Sequence, residues 1–233
     1  GAKAEEIADY SYSYKLTTLT IKTTTQYRYG AAFAGAPSAL ATDAMTRTDT
    51  YDGQGVVAAK LTSKTFYDTR LGKGDEIADY SNNYASGGVT IKTTTLYYYN
   101  SLRASNGLVT SETAMNISES YKGSSTLPAD LRTKTFYDTR LGKGDEIADY
   151  SYNYDTLGST VKTVSVFYYG AKRASDALVT ADTAMDRSES YKTTLIGSIN
   201  RTAGTSNLLS ETFYYGAKAE EIADYSYSYK LTT

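Results

Sequence analysis

The chain has 233 residues, a formal net charge of −2 with both signs mixed along it, and neither cysteine nor histidine. It is long enough to bury a core, but its charge excludes the basic stripe of a nucleic-acid binder and a polybasic membrane-surface module. Without Cys and His there can be no disulfide framework, no usual zinc, iron–sulfur or haem ligands, and no Ser–His or Cys–His catalysis.

The chain opens with GAKAEEIADYSYSYKLTT, and the same eighteen residues close it at 216–233. Gly1 is not a natural start, so the true ends are expected to lie elsewhere. No signal peptide opens the sequence. No apolar run approaches the roughly 20 residues of a membrane-spanning helix, so no membrane insertion is expected within this window. Within the opening copy, YSYSY at 10–14 puts Tyr10, Tyr12 and Tyr14 on one face and reads as a strand.

Residues 19–29, LTIKTTTQYRY, alternate cleanly. One face carries Leu19, Ile21, Thr23, Thr25, Tyr27 and Tyr29. The other carries Thr20, Lys22, Thr24, Gln26 and Arg28. Period-2 alternation of β-branched and aromatic residues is a strand signal. The pattern returns at 89–99 with Val89, Ile91, Thr93, Thr95, Tyr97 and Tyr99, and at 161–169 with Val161, Thr163, Ser165, Phe167 and Tyr169. The third copy also has Val164 and Val166 on its second face, which predicts burial on both sides. Further strands are predicted at 60–68 and 130–138. LVTSETAMNISESY at 108–121 could line a short helix through Leu108, Val109 and Met115, but its Thr and Ser content points to strand and loop. RLGKGD at 70–75, ASGG at 85–88 and DTLG at 155–158 supply turns, and both prolines, Pro37 and Pro128, fall between strands.

These segments are copies of one another. KTFYDTRLGKGDEIADYS occupies 64–81 and again 134–151, with a degenerate copy, ETFYYGAKAEEIADYS, at 211–226. The tyrosine after EIAD recurs as Tyr10, Tyr80, Tyr150 and Tyr225. Its spacings of 70, 70 and 75 residues total 215, which is also the offset between the identical ends. Three repeat units therefore fill a super-repeat before the chain re-enters the first. The boundaries are 1–9, the end of a preceding unit; 10–79, 80–149 and 150–224, units one to three; and 225–233, the start of the next unit one. Within a unit, FYYGAK at 167–172 and 213–218, YYYNSLR at 97–103 and FYDTRLG at 66–72 suggest two unequal halves.

The expected class is all-β: a tandem-repeat β-solenoid or stacked β-hairpin array. Tyrosine, with 25 residues against five Phe and no Trp, must supply much of the buried area. Its hydroxyls need partners, and Ser and Thr can provide them. Stacked copies bring like residues together, so the recurring Lys22, Lys92 and Lys162 are expected to alternate or pair with the recurring acids Glu6, Glu76, Glu146 and Glu221 and Asp9, Asp79, Asp149 and Asp224.

YDGQG at 51–55, YDTLG at 154–158 and FYDTRLGK at 66–73 resemble the YD repeats of Rhs-type proteins, as does the tail at 108–121. The resemblance implies β-hairpins winding into a shell or spiral on secreted or surface proteins. The 70-residue unit and its near-identical copies depart from that family, whose repeats are shorter and more divergent.

Candidate chemistry is sparse. Asp145, Glu146 and Asp149, repeated as Asp75, Glu76 and Asp79, suggest a calcium site beside a glycine turn, but their spacing matches no calcium-loop template and the alternative is a solvated turn. Nothing specifies a catalytic cleft, and three copies of one acid pair look architectural rather than like a glycosidase pair. Tyrosine faces could stack on sugars or on a neighbouring subunit; the alternative is that they form the core. Asn116 and Asn200 fit the N-glycosylation sequon. No catalytic, cofactor or metal residue is singled out, and no cofactor is expected. The expected function is structural and non-catalytic: an extracellular filament, stalk or surface layer built by stacking β units, with further copies of the same protein as the partner. The alternative is an adhesin or Rhs-like shell that binds glycan or cargo through Tyr-rich surfaces. Either would place the protein outside the cell or on its surface.

Overall fold

The sheet is built from the alternating segments the sequence marks out. In the computed structural model, which describes residues 6–15 and 18–231, strands hold 46 % of the chain and helical turns 4 %, so the class is all-β. Residues 1–5 of the opening segment, residues 16–17 and residues 232–233 of the closing one lie outside the described residues. Two compact units divide the chain. The first is Gly1–Tyr98 with Leu102–Ser111 and Tyr121–Ser125; the second is Tyr99–Ser101, Glu112–Ser120 and Thr126–Thr233.

The first unit contains β1 (Tyr10–Tyr14), β2 (Ile21–Tyr29), β3 (Ala32–Phe33), β4 (Arg47–Asp52), β5 (Leu61–Asp68), β6 (Ile77–Tyr84), nearly all of β7 (Ile91–Tyr99) and the short β8 (Leu102–Arg103). Hydrogen-bonded neighbours run β1-β2-β4-β5-β6-β7, all antiparallel, with β3 folded back on β2. Most of β9 (Met115–Lys122) belongs to the second unit, with β10 (Leu131–Asp138), β11 (Ile147–Tyr154), β12 (Val161–Tyr168), β13 (Arg187–Tyr191), β14 (Leu208–Tyr215) and β15 (Ile222–Ser228). There the antiparallel order is β10-β11-β12-β13-β14-β15. The ambiguous stretch 108–121 is loop and then strand, as its composition predicts.

The order within each unit corrects the expectation that like residues stack. β2 and β7, which carry Lys22 and Lys92, stand four strands apart. At a strand spacing of ~4.8 Å that is about 19 Å. The recurring charges avoid one another for a second reason. Phe66 pairs with Tyr80 and Tyr67 with Ala78, which leaves Asp79 unopposed in a β-bulge. Asp149 and Asp224 occupy the same bulge in their copies. Lys22, Lys92 and Lys162 are likewise skipped where the register shifts at the start of β2, β7 and β12. A bulge residue has no direct cross-strand partner, so neither charge meets its like.

Both faces of the sheet carry core. In the second unit Val164, Val166, Tyr191 and Leu208 form one buried cluster, and Ile147, Tyr169, Ala174 and Val179 form another. Val164 and Val166 are fully buried, while Val161, Thr163, Ser165 and Phe167 on the opposite face are half-buried. The face predicted to be secondary is thus the better covered one. The equivalent positions in β2 and β7, Thr24, Thr94 and Leu96, are buried too.

Tyrosine divides by location. Tyr29, Tyr51, Tyr99, Tyr121, Tyr169 and Tyr191 are core, whereas Tyr10 and Tyr14 on β1 and Tyr225 and Tyr227 on β15 are exposed. Hydroxyl partners come largely from Ser, Thr and backbone carbonyls. Tyr97 meets Ser81 at 2.9 Å, Tyr137 meets Ser118 at 3.1 Å, and Tyr214 meets Ser188 at 3.1 Å. Tyr29 donates to the Ala8 carbonyl and Tyr169 to the Ala148 carbonyl, at 2.9 and 2.8 Å.

Candidate functional site: repeat clamps and an uncovered edge

In the two YDTRLGKGDEIAD copies the Glu and Asp of EIAD are already engaged. Glu76 accepts the Met45 N–H at 2.8 Å through one oxygen and the Gly74 N–H at 3.0 Å through the other. Glu146 does the same for Met115 and Gly144 at the same distances. Asp79 pairs with Arg103 at 2.6 Å and Asp149 with Arg173 at 2.8 Å. Asp75 and Asp145 point to solvent. These carboxylates tie loops to strands, and among the described residues no three acids converge on a point that could hold a metal ion. Asn116 accepts the Ser101 N–H at 3.1 Å. Asn200 is bound within its own loop, donating to Thr205.

The arginine of each YDTRLGKG turn was not singled out from the sequence, yet it reaches a loop more than thirty residues further along the chain. Arg70 donates to the Ala104 carbonyl at 3.1 Å and to the Val109 carbonyl, and pairs with Asp68. Arg140 repeats this with the Ala174, Asp176 and Val179 carbonyls and Asp138. Each such turn is therefore a two-sided clamp. Its glutamate holds the loop of its own repeat, and its arginine holds the loop of the next. Five guanidinium donors in a rigid fork suit a cluster of carbonyls. Under the clamped loop the EIAD isoleucine is sealed: Ile77 is 2 % exposed and Ile147 1 %.

A second set of charges recurs every 70 residues: Asp49, Glu119 and Glu189. Asp49 lies 2.7 Å from Arg47 and 3.4 Å from Arg28. Glu119 pairs with Lys134 at 2.9 Å. Glu189 sits directly across from Glu211 in the β13–β14 register. Their mutual repulsion is relieved by Arg187, 3.2 Å from Glu189, and by Arg201, which pairs with Glu189 and reaches Glu211 at 2.7 Å. Tyr168, Tyr191 and Tyr229 add hydroxyl donors. Burial works against the charge on Glu211, but hydrogen bonds from Tyr229 and Arg201 outweigh it and hold the carboxyl below its ordinary value. Burial and the Glu189 carboxylate push the Tyr191 hydroxyl well up. A chain-wide alignment at offset 70 would have exposed both this series and the arginines. The cluster is filled by its own side chains, so its chemistry is that of a polar core.

The third turn breaks the rule. Glu221 still accepts the Met185 N–H, at 3.1 Å, but YYGAKA replaces YDTRLGKG and no arginine is present. Beyond it β15 pairs with β14 in the register of the earlier copies: Phe213 faces Tyr225 as Phe66 faces Tyr80 and Phe136 faces Tyr150. The rings stack at 4.7, 4.4 and 4.6 Å. Every residue of β15 is exposed, and Ile222, the counterpart of Ile77 and Ile147, is 68 % exposed. In the first unit, among the described residues, β1 pairs with β2 alone, and its residues are mostly exposed as well. No family model and no curated protein matches the chain, so the Rhs-type resemblance rests on its short motifs alone.

Proposed function

We propose that the protein is a structural, non-catalytic repeat protein that builds an extracellular filament, stalk or surface layer from tandem β units. The observation that carries this reading is the two-sided clamp. Arg70 and Arg140 each close the loop of the following repeat onto the isoleucine of the preceding one, with the same donors and the same carbonyls. A repeat whose core is finished by its successor is the physical basis of an extendable array. Its partner is accordingly further copies of itself. The engaged acids and self-filled polar core support an architectural role over catalysis.

Electron microscopy of the native material tests the reading. Long uniform fibres or sheets are expected. Discrete capsules, or a dispersed protein retained on glycan arrays, would replace it with a shell or adhesin. That second reading draws on the exposed tyrosines of β1 and β15, whose rings could stack on sugars.

A further inference from the structure

We propose that residues 192–207 form an acid-released strap: a segment of the third repeat that the Glu189–Glu211 carboxylate pair holds down, and that lifts from the sheet when the pair loses its charge, uncovering the apolar cluster beneath. The device lies within one repeat and does not depend on assembly.

Three observations carry it. First, one charge is exchanged at a fixed register position. Lys64 lies across from Asp49, and Lys134 meets Glu119 at 2.9 Å. In the third repeat the residue two before the strand's phenylalanine is Glu211 instead of lysine, and it faces Glu189. Like charges directly opposed are unfavourable. Here both side chains are also buried, at 0 % exposure for Glu189 and 5 % for Glu211.

Second, the missing cation arrives with an insertion. Sixteen residues join Tyr191 to Leu208, where nine join Tyr51 to Leu61 and nine join Tyr121 to Leu131. Arg201 lies in the longer segment, pairs with Glu189 and reaches Glu211 at 2.7 Å. The segment is braced from within. The Asn200 N–H donates to the Asn207 side-chain oxygen, and the Asn207 side chain donates to the Ser198 carbonyl, both at 2.8 Å. The Lys192 N–H closes the base on the Asn207 carbonyl, also at 2.8 Å. A piece tied in this way can swing without unravelling.

Third, what it covers is apolar. Ile196 and Ile199 pack on the buried cluster of Val164, Val166, Tyr191 and Leu208. Residues 201–205 stay exposed.

The groups that face the two carboxylates come from each element around them. They are Tyr168 on β12, Arg187 and Tyr191 on β13, Arg201 on the strap, Tyr227 on β15 and Tyr229 just after it. Two carboxylates balance two guanidiniums. Protonating the pair leaves two cations over a neutral site. Arg201, with 46 % of its side chain exposed against 21 % for Arg187, is the one free to turn to water. Glu211 is held below its ordinary value, so the strap is shut at neutral pH and opens as pH falls through the folded value.

An arginine-specific protease tests the strap on the full-length protein, with the cuts mapped by mass. Glu211→Lys restores the lysine of the other two repeats and makes Arg201 surplus. Cleavage after Arg201 is expected to speed up about tenfold, the equivalent of about 1.4 kcal/mol, because proteolysis follows the population of the open form. Cleavage after Arg187, within β13, is expected to keep its wild-type rate. Glu211→Gln is expected to shift the Arg201 rate in the same direction by less. If neither variant speeds cleavage after Arg201 over that after Arg187, the strap is overturned. In the unaltered protein a hydrophobic dye that reports exposed apolar surface is expected to bind as pH falls, ahead of the loss of near-ultraviolet dichroism. Dye binding that begins only together with that loss would overturn release by acid.

Discussion

In the two YDTRLGKG turns a single arginine ties a loop to the strand beside it. Arg140 touches three carbonyls and one carboxylate, and its side chain is largely covered. Removing it leaves the carbonyls of the buried Ala174 and Val179 short of a donor, and hydrogen bonds to charged groups contribute roughly 1.5–3 kcal/mol. Arg140→Ala should therefore lower stability by about 2 kcal/mol, read as a shift of the urea midpoint. Arg140→Lys should recover less than half, because an ammonium has no fork to span several acceptors. Full recovery by lysine would mean that charge alone, not geometry, holds the loop. The Glu189–Glu211 pair makes a second residue-scale case. Glu211 has a depressed folded-state value, so its contribution is present above the ordinary carboxylate range and is lost as pH falls through the folded value. Glu211→Gln should flatten the acid limb of a stability–pH profile, and an unchanged limb would deny the carboxylate that role.

Turns and bulges decide how the elements join. Gly158 has φ +66, and a Cβ there would stand 2.0 Å from the Pro128 carbonyl oxygen; Gly88 has φ +69, with its Cβ 2.0 Å from the Ala58 oxygen. In both copies the hairpin turn, after β6 or β11, passes against the short helical turn that leads into β5 or β10, Ala58–Lys60 or Pro128–Asp130. Gly158→Ala meets left-handed strain and a backbone clash together, and should cost at least ~2 kcal/mol by thermal denaturation. Gly74→Ala, with φ +90 and open space around it, should cost less, and the reverse order would refute the close approach.

These elements also show how far the sequence could be read. The strands expected at 10–14, 19–29 and 89–99 were visible from alternation because half-buried pleated segments advertise period 2, and they form as Tyr10–Tyr14, Ile21–Tyr29 and Ile91–Tyr99; those expected at 60–68 and 130–138 form as Leu61–Asp68 and Leu131–Asp138. The better-buried face was not visible, since Thr24 and Thr94 are polar yet packed. Their hydroxyls donate to the Gly53 and Gly123 carbonyls, and no hydropathy pattern records that. The neighbours of each strand were also hidden, so copies predicted to stack lie four strands apart instead. The acids were noticed through their recurrence, but their work as loop ties depends on backbone N–H groups that sequence does not display.

On the scale of the molecule, tyrosine ties stability to alkaline pH. Burial raises Tyr29, Tyr51, Tyr67, Tyr80, Tyr150 and Tyr169 above the ordinary 10.0. A group whose value is raised by folding contributes stability in full below its unfolded value and loses it as pH rises through the folded one. Stability should thus hold to about pH 10 and then fall steeply as the unfolded chain ionises first, with tyrosinate absorbance rising in step with loss of near-ultraviolet dichroism. Smooth tyrosine titration without unfolding would show the rings to be less buried than described. The rings and isoleucine that are covered in the two full copies are exposed on β15. Micrographs of the native protein are the most direct measurement of whether one repeat is completed by the next. Unbranched fibres or layers of uniform width are predicted; a field of separate particles, each the mass of one chain, would contradict the account.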